Sequence, residues 1–131
     1  MALLQWAIFN FLIGNADAHA KNLAMIFTDR GPRLAPFYDL ICTQVYPDLA
    51  EKSAMRIGGE NRPSWIRQKH WEKLGEAVAI KSSLVLKTLK EMSGDIIPAA
   101  QVLMDDFKKA HGSFGIIEKI MAVIEKRAGA V

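Results

Sequence analysis

One cysteine in 131 residues, Cys42, excludes an internal disulfide and a Cys-rich zinc centre. Cys42 is expected to pack as a small hydrophobe. No long apolar run is present. The longest, Leu3 to Gly14, is broken by Gln5 and Asn10 and falls short of the roughly 20 residues that a membrane-spanning helix needs. The N-terminus lacks the basic start of a signal peptide, since the first Lys or Arg is Lys21, so the expected compartment is the cytoplasm. There is no large excess of one charge either. Seventeen Lys plus Arg against 14 Asp plus Glu leave a net charge of +3, too little by itself to argue for nucleic acid. Repeats and low-complexity tracts are absent, as are a G-x-G-x-x-G loop, a Walker A sequence and a V-A-I-K-type strand lysine.

What is there suits one soluble, core-forming domain over residues 1–131: half of the residues are apolar and 24% are charged. Leu4, Ala7, Ile8, Phe11 and Leu12 fall at helical spacing, with Leu3, Phe9 and Ile13 on the other face, which predicts a helix buried all round. Gly14 and Asn15 stop it, and Asn15 to Asn22 reads as a loop. A small hairpin is expected from Leu23–Phe27 and Arg33–Tyr38 about a turn at Thr28–Pro32. An irregular segment follows as far as Pro63, and its Gly58-Gly59 doublet reads as a backbone turn. The rest is helical in pattern. One helix runs from Gln68 to about Ile80, and Ser82 or Ser83 is positioned to cap the next. Pro98 should start, kink or divide the helix that holds it. The last helix carries Ile116, Ile117, Ile120, Met121 and Ile124 on one face and should pack on the same core.

Between Asn15 and Asn22 the sequence reads NADAHAKN, which gathers a carboxylate, an imidazole, an ammonium and two amides in one loop. A plain turn accounts for Asp17 and a solvated charge for Lys21. Asp39 adds a second carboxylate, expected at the end of an apolar strand that returns the chain to that loop. Asp17, Asn22 five residues on, and Asp39 beyond a hairpin match the order H-R-D-x-x-x-x-N and D-F-G of protein kinases. Phosphoryl transfer needs a carboxylate to orient and deprotonate the attacking hydroxyl. Hard Mg2+ beside the triphosphate needs oxygen ligands. A cation such as Lys21 can offset charge on the transferring group.

The runs FLIGNADAHAKNLAMIF and LAPFYDLI closely resemble the C-terminal region of the HipA family of serine/threonine toxin kinases. The resemblance continues through VYPDLAEKSAMRIGG, Val45 to Gly59, and a helix over Trp65 to Leu74. It implies the mostly helical C-lobe of a kinase with a small β hairpin beside the catalytic loop. It also implies Asp17 as catalytic base, Asn22 and Asp39 as Mg2+ ligands beside ATP, and His19 and Lys21 as supporting residues of the catalytic loop. The family's complete enzyme passes the γ-phosphoryl of ATP to a protein serine or threonine, with aminoacyl-tRNA synthetases among its targets. Its partner is a helix-turn-helix antitoxin of the HipB type, through which it associates with DNA.

Departures from the common kinase pattern are visible. Asn15 and Ala16 stand where His and Arg precede the base, Leu40 and Ile41 replace Phe and Gly, and His19 takes the usual lysine place. Without that arginine, control by a phosphorylated activation loop through it is not expected. With no ATP-gripping lobe in the sequence, the chain is expected to be a fragment, a truncated frame or one piece of a split kinase. Two other classes remain in view: a binding module that retains kinase residues, and a hydrolase whose transition metal sits on Asp17, His19 and Asp39. Arg62, Arg67, Lys69 and Lys73, interleaved with Trp65 and Trp71, are a candidate phosphate-binding cluster. A solvated helix face with core tryptophans is the simpler reading. His70 is expected on a helix surface and His111 at a helix end.

Overall fold

A computed structural model describes all 131 residues. Four helices carry the fold: α1 (Ala2–Leu12), α2 (Gln68–Ala77), α3 (Ser82–His111) and α4 (Gly115–Ala128). Between α1 and α2 lie a two-stranded antiparallel hairpin, β1 (Met25–Thr28) and β2 (Gly31–Leu34), and short 3-10 turns at Ala20–Asn22, Thr43–Val45 and Pro63–Trp65. No helix is long and apolar enough to cross a membrane.

The core forms where α1 meets the other helices. Leu4, Ile8 and Leu12, one turn apart, pack with Trp71 of α2, Val85 and Leu89 of α3, Ala128 of α4 and Ile66 before α2. Phe11 meets the edge of Trp71 at 5.4 Å and 81°. The opposite side of α1 is also buried at Trp6 and Asn10, and at Ile13 just past its end, but Leu3 is 49% exposed, so the helix is not buried all round as its apolar circumference predicts. Gly58 is a close-approach position. It has φ +55, and a Cβ there would strike the backbone carbonyl of His70, so it turns the chain and also lets α2 close on the irregular segment.

Several boundaries differ from the sequence expectations. The hairpin pairs Met25 with Leu34 and Thr28 with Gly31, leaving only Asp29 and Arg30 in its turn. Its second strand stops at Leu34 rather than Tyr38. Ala35 still donates its N–H to Ala24 at 2.9 Å, the last bond of the ladder. Asp39 is therefore not at a strand end but several residues beyond one. Trp65 lies in a 3-10 turn ahead of α2, which begins at Gln68, so no helix runs from Trp65 to Leu74. The N-cap of α3 is Lys81, and Ser82 is its first helical residue. α3 is continuous through Pro98. Of the outcomes expected at Pro98, neither a start nor a division occurs: one helix of 30 residues runs through it with one donor missing.

Candidate functional site

The site grows out of the C-terminus of α1. Gly14 (φ +72) ends the helix in a Schellman arrangement: its N–H donates to Phe11 at 3.2 Å, and the Asn15 N–H donates to Asn10 at 2.9 Å. A Cβ on Gly14 would lie 2.6 Å from Cγ1 of Val123, so glycine also lets α4 approach.

The loop that follows is clamped from two sides. Thr43 Oγ1 accepts the Ala16 N–H at 2.7 Å and donates to the Gly14 carbonyl at 3.2 Å. Gln44 N–H donates to the same carbonyl at 3.2 Å, and Ala54 N–H donates to the Ala16 carbonyl at 2.7 Å. At its far end the loop closes in a 3-10 turn. Asn22 N–H donates to the His19 carbonyl at 2.9 Å, and His19 N–H donates to Asn22 Oδ1 at 3.0 Å.

Asn22 and Asp39 are brought together. Asn22 is buried and its Nδ2 donates to Asp39 Oδ2 at 2.8 Å. Asp39 adopts φ +58, a left-handed conformation rare outside glycine but tolerated by Asp. Asp17 stands at the mouth with its side chain 68% exposed, and His19 Nε2 lies 4.0 Å from its Oδ1. The Nδ1 of His19 is buried without a hydrogen-bond partner. Lys21 is exposed, and its carbonyl accepts the Tyr38 hydroxyl at 2.8 Å, which fastens the segment before Asp39 to the loop. The oxygens that could serve a hard cation such as Mg2+ are those of the Asp39 carboxylate and Asn22 Oδ1, although Asn22 turns its Nδ2 to Asp39 and its Oδ1 already accepts the His19 N–H. No group of three or more His, Cys, Asp or Glu side chains comes together, so Asp17, His19 and Asp39 do not form the expected transition-metal set.

Sequence reasoning missed the polar layer under the loop. Asn10 and Asn15 are buried, and Asn15 Nδ2 donates to Asn10 Oδ1 at 2.7 Å and to the Asp39 carbonyl at 2.9 Å. The signal available was Asn10 itself, a polar residue in an otherwise apolar helix, which must find a partner if buried.

Three of the four basic residues stay together: Arg62, Arg67 and Lys69 line one cleft with Glu60, Trp65 and His70. Arg62 is held by Glu60 at 2.7 Å, and Arg67 Nη1 donates to the carbonyls of Ser64 and Ile66. Trp71 is in the core at 2% exposure, but Trp65 is 57% exposed, a correction to the expectation of two core tryptophans. Arg62 covers the Trp65 ring at 3.7 Å, which explains how the indole stays at the surface. His70 caps α2, its Nδ1 accepting the Arg67 N–H at 2.9 Å. His111 ends α3 as expected and stacks on Phe107 at 4.7 Å. Cys42 is buried, and burial pushes its thiol up, so it packs as the expected small hydrophobe.

A helical lobe that presents Asp17, Asn22 and Asp39 around one loop is the C-lobe type of a protein kinase. Comparison with known proteins agrees. Residues 1–100 match the model of the HipA-like C-terminal domain. The chain belongs to that family. It is 36% identical over 106 residues to a putative kinase of Sinorhizobium fredii, covering 81% of this chain and 25% of that protein. It is 34% identical over 103 residues to the serine/threonine-protein kinase toxin HipA of Shewanella oneidensis, covering 78% of this chain and 24% of that protein. The solved Shewanella oneidensis toxin–antitoxin complex of HipA, HipB and operator DNA contains a chain that superposes with a TM-score of 0.82 at 29% identity. That match covers 96% of this chain and 30% of that one. The chain thus spans about a quarter of the length of the curated relatives it matches.

Proposed function

We propose that this domain supplies the catalytic-loop half of a HipA-like kinase that transfers the γ-phosphoryl of ATP to a serine or threonine of a protein. The observation that carries the reading is the direct bond between Asn22 and Asp39, on a loop that also displays Asp17 to solvent. Asp17 orients the attacking hydroxyl and takes its proton, a role that suits a carboxylate free of strong partners. Asn22 and Asp39 hold Mg2+, which when bound neutralises charge on the triphosphate. Lys21 faces solvent where it can meet an incoming phosphoryl oxygen, and His19 flanks the base. Gripping the triphosphate takes a glycine-rich loop and a strand lysine that these 131 residues do not contain. Transfer therefore depends on a further kinase segment, carried on a longer chain or on a separate one. The match to a HipA–HipB–DNA complex supports a HipB-type antitoxin as partner, with DNA reached through it. The protein substrate, for which an aminoacyl-tRNA synthetase is the family's precedent, is read from the likeness alone.

Calorimetric titration of the chain with ATP, with and without Mg2+, tests the site. Binding that requires Mg2+ and is lost in Asp39→Asn is the expected result. A folded chain that binds no Mg2+-ATP would mean that the further segment is required for binding, leaving a kinase fragment or the second reading, an interaction module retaining kinase residues. The relatives' fourfold greater length gives that reading its weight.

A further inference from the structure

We infer that Asn15 is a positioning residue that sets the backbone of Asp39 and ties it to the amide of Asp17. The inference rests on the kinase reading above and adds to it a residue that stands where the common kinase pattern has histidine.

Asn15 is buried, and both donors of its amide and one of the two acceptor positions of its oxygen are used. Its two Nδ2 hydrogens go to Asn10 Oδ1 at 2.7 Å and to the Asp39 carbonyl at 2.9 Å, while its Oδ1 accepts the Asp17 N–H at 3.1 Å. The orientation of this amide is fixed by its neighbour. Asn10 Nδ2 donates to the Trp6 carbonyl at 2.8 Å, which turns Asn10 Oδ1 toward Asn15 and so demands the NH2 group of Asn15 on that side. Asn10 is in turn held by α1. A rigid helix therefore reaches the two functional carboxylates through a pair of amides.

The two ends of the loop divide the work at Asp39. Asn15 holds the carbonyl, and Asn22 holds the side chain through Oδ2 at 2.8 Å. Asp tolerates φ +58 but is more often found elsewhere, and the two bonds from Asn15 and Asn22 favour the left-handed conformation here. Asp17 depends on the same amide. Its side chain is largely exposed and its one recorded neighbour is His19 at 4.0 Å, so its place is set by its backbone. Bonding both Asp17 N–H and Asp39 C=O, Asn15 fixes the separation of base and metal ligand.

Three variants of the full chain test this. Asn15→Asp keeps an acceptor for Asp17 but removes both donors; Asn15→Ala removes all three bonds; Asn15→His restores one donor. Backbone chemical shifts of Asp39 report its φ, and hydrogen exchange of the Asp17 amide reports the bond to Oδ1. The expected result is that Asp39 leaves the left-handed region in Asn15→Asp and Asn15→Ala and returns to it in Asn15→His. Exchange at Asp17 should quicken roughly tenfold in Asn15→Ala only, the change expected for one hydrogen bond. Mg2+-ATP affinity should fall roughly three- to tenfold in Asn15→Asp, with Mg2+-free ATP binding unchanged. An Asp39 that stays left-handed in both disruptive variants would overturn the inference. So would loss of cooperative unfolding in both, because Asn15 would then be a residue of the fold and not of the site. Failure of the parent to bind Mg2+-ATP would bear on the kinase reading and its need for a further segment, and the backbone shifts would still decide the role of Asn15.

Discussion

Glu60 shows how much a single side chain can be shaped by its sequence neighbours. Its carboxylate accepts Nε and Nη2 of Arg62 at 2.9 and 2.7 Å, and the backbone N–H groups of Asn61 and Arg62, each at 3.0 Å. The Arg62 guanidinium in particular holds the carboxyl down to about 2. A depressed carboxylate adds stability that is fully present above its unfolded value of about 4.3, and that stability is lost as pH falls toward the folded value. Acid titration is therefore expected to weaken the turn ahead of α2 between about pH 4.3 and pH 2. In Arg62→Gln the carbon resonance of the Glu60 carboxyl should titrate in the ordinary range, and that part of the acid limb should flatten. An unchanged Glu60 titration in the variant would show that the backbone donors alone set it. The bidentate partner lies two residues away in the chain, yet the sequence offered Arg62 only as a member of a basic cluster. Neutralisation by Glu60 and stacking on Trp65 depend on the local turn.

Among the elements, α3 shows a local rule overruled by its surroundings. Pro98 lacks the N–H that would bond the Gly94 carbonyl, yet the helix continues past it for more than three turns. The half before Pro98 is anchored by Val85, Leu89 and Ser93, which are buried, whereas Val102 and Leu103 beyond it are exposed. Because Pro98 is itself exposed, Pro98→Ala should relieve the break without disturbing the core and stabilise the chain by about 1 to 3 kcal/mol. Urea denaturation should show a higher midpoint at unchanged slope. A lower midpoint would mean that the proline shapes the packing of α3 on α4. Helix existence was legible at every one of the four, since each carries an apolar stripe of helical period. Boundaries were less so, as at β2, which ends at Leu34 where the apolar pattern alone would have carried it to Tyr38.

Across the whole molecule, α4 joins the last part of the chain to the site. Arg127 is buried beside the ring of Phe11, and its Nη2 donates to Gln44 Oε1 at 2.6 Å, next to the Thr43 that clamps the Asn15–Asn22 loop. Burial pulls the guanidinium down from its ordinary value, and its Nε has no partner, so the charge is held at some cost. Arg127→Ala would leave Gln44 Oε1 unpaired and open space against Phe11, with an expected loss of about 1 to 3 kcal/mol. Arg127→Met, which keeps an apolar stem of similar length, should lose less or nothing. Thermal unfolding of the two variants beside the parent checks this, and equal losses would show that the hydrogen bond outweighs the packing.

Residue identity and spacing by themselves determined the helical class and the hairpin, and singled out Asp17, Asn22 and Asp39 as candidates, because periodicity and motif order are properties of a linear chain. Tertiary structure decided what holds that trio in place. The buried amides of Asn10 and Asn15, the Thr43 clamp and the left-handed Asp39 all join residues distant in sequence or conformations that no local propensity selects. A buried polar group takes its partner from whatever the fold brings within reach, and only the packed chain fixes what that is.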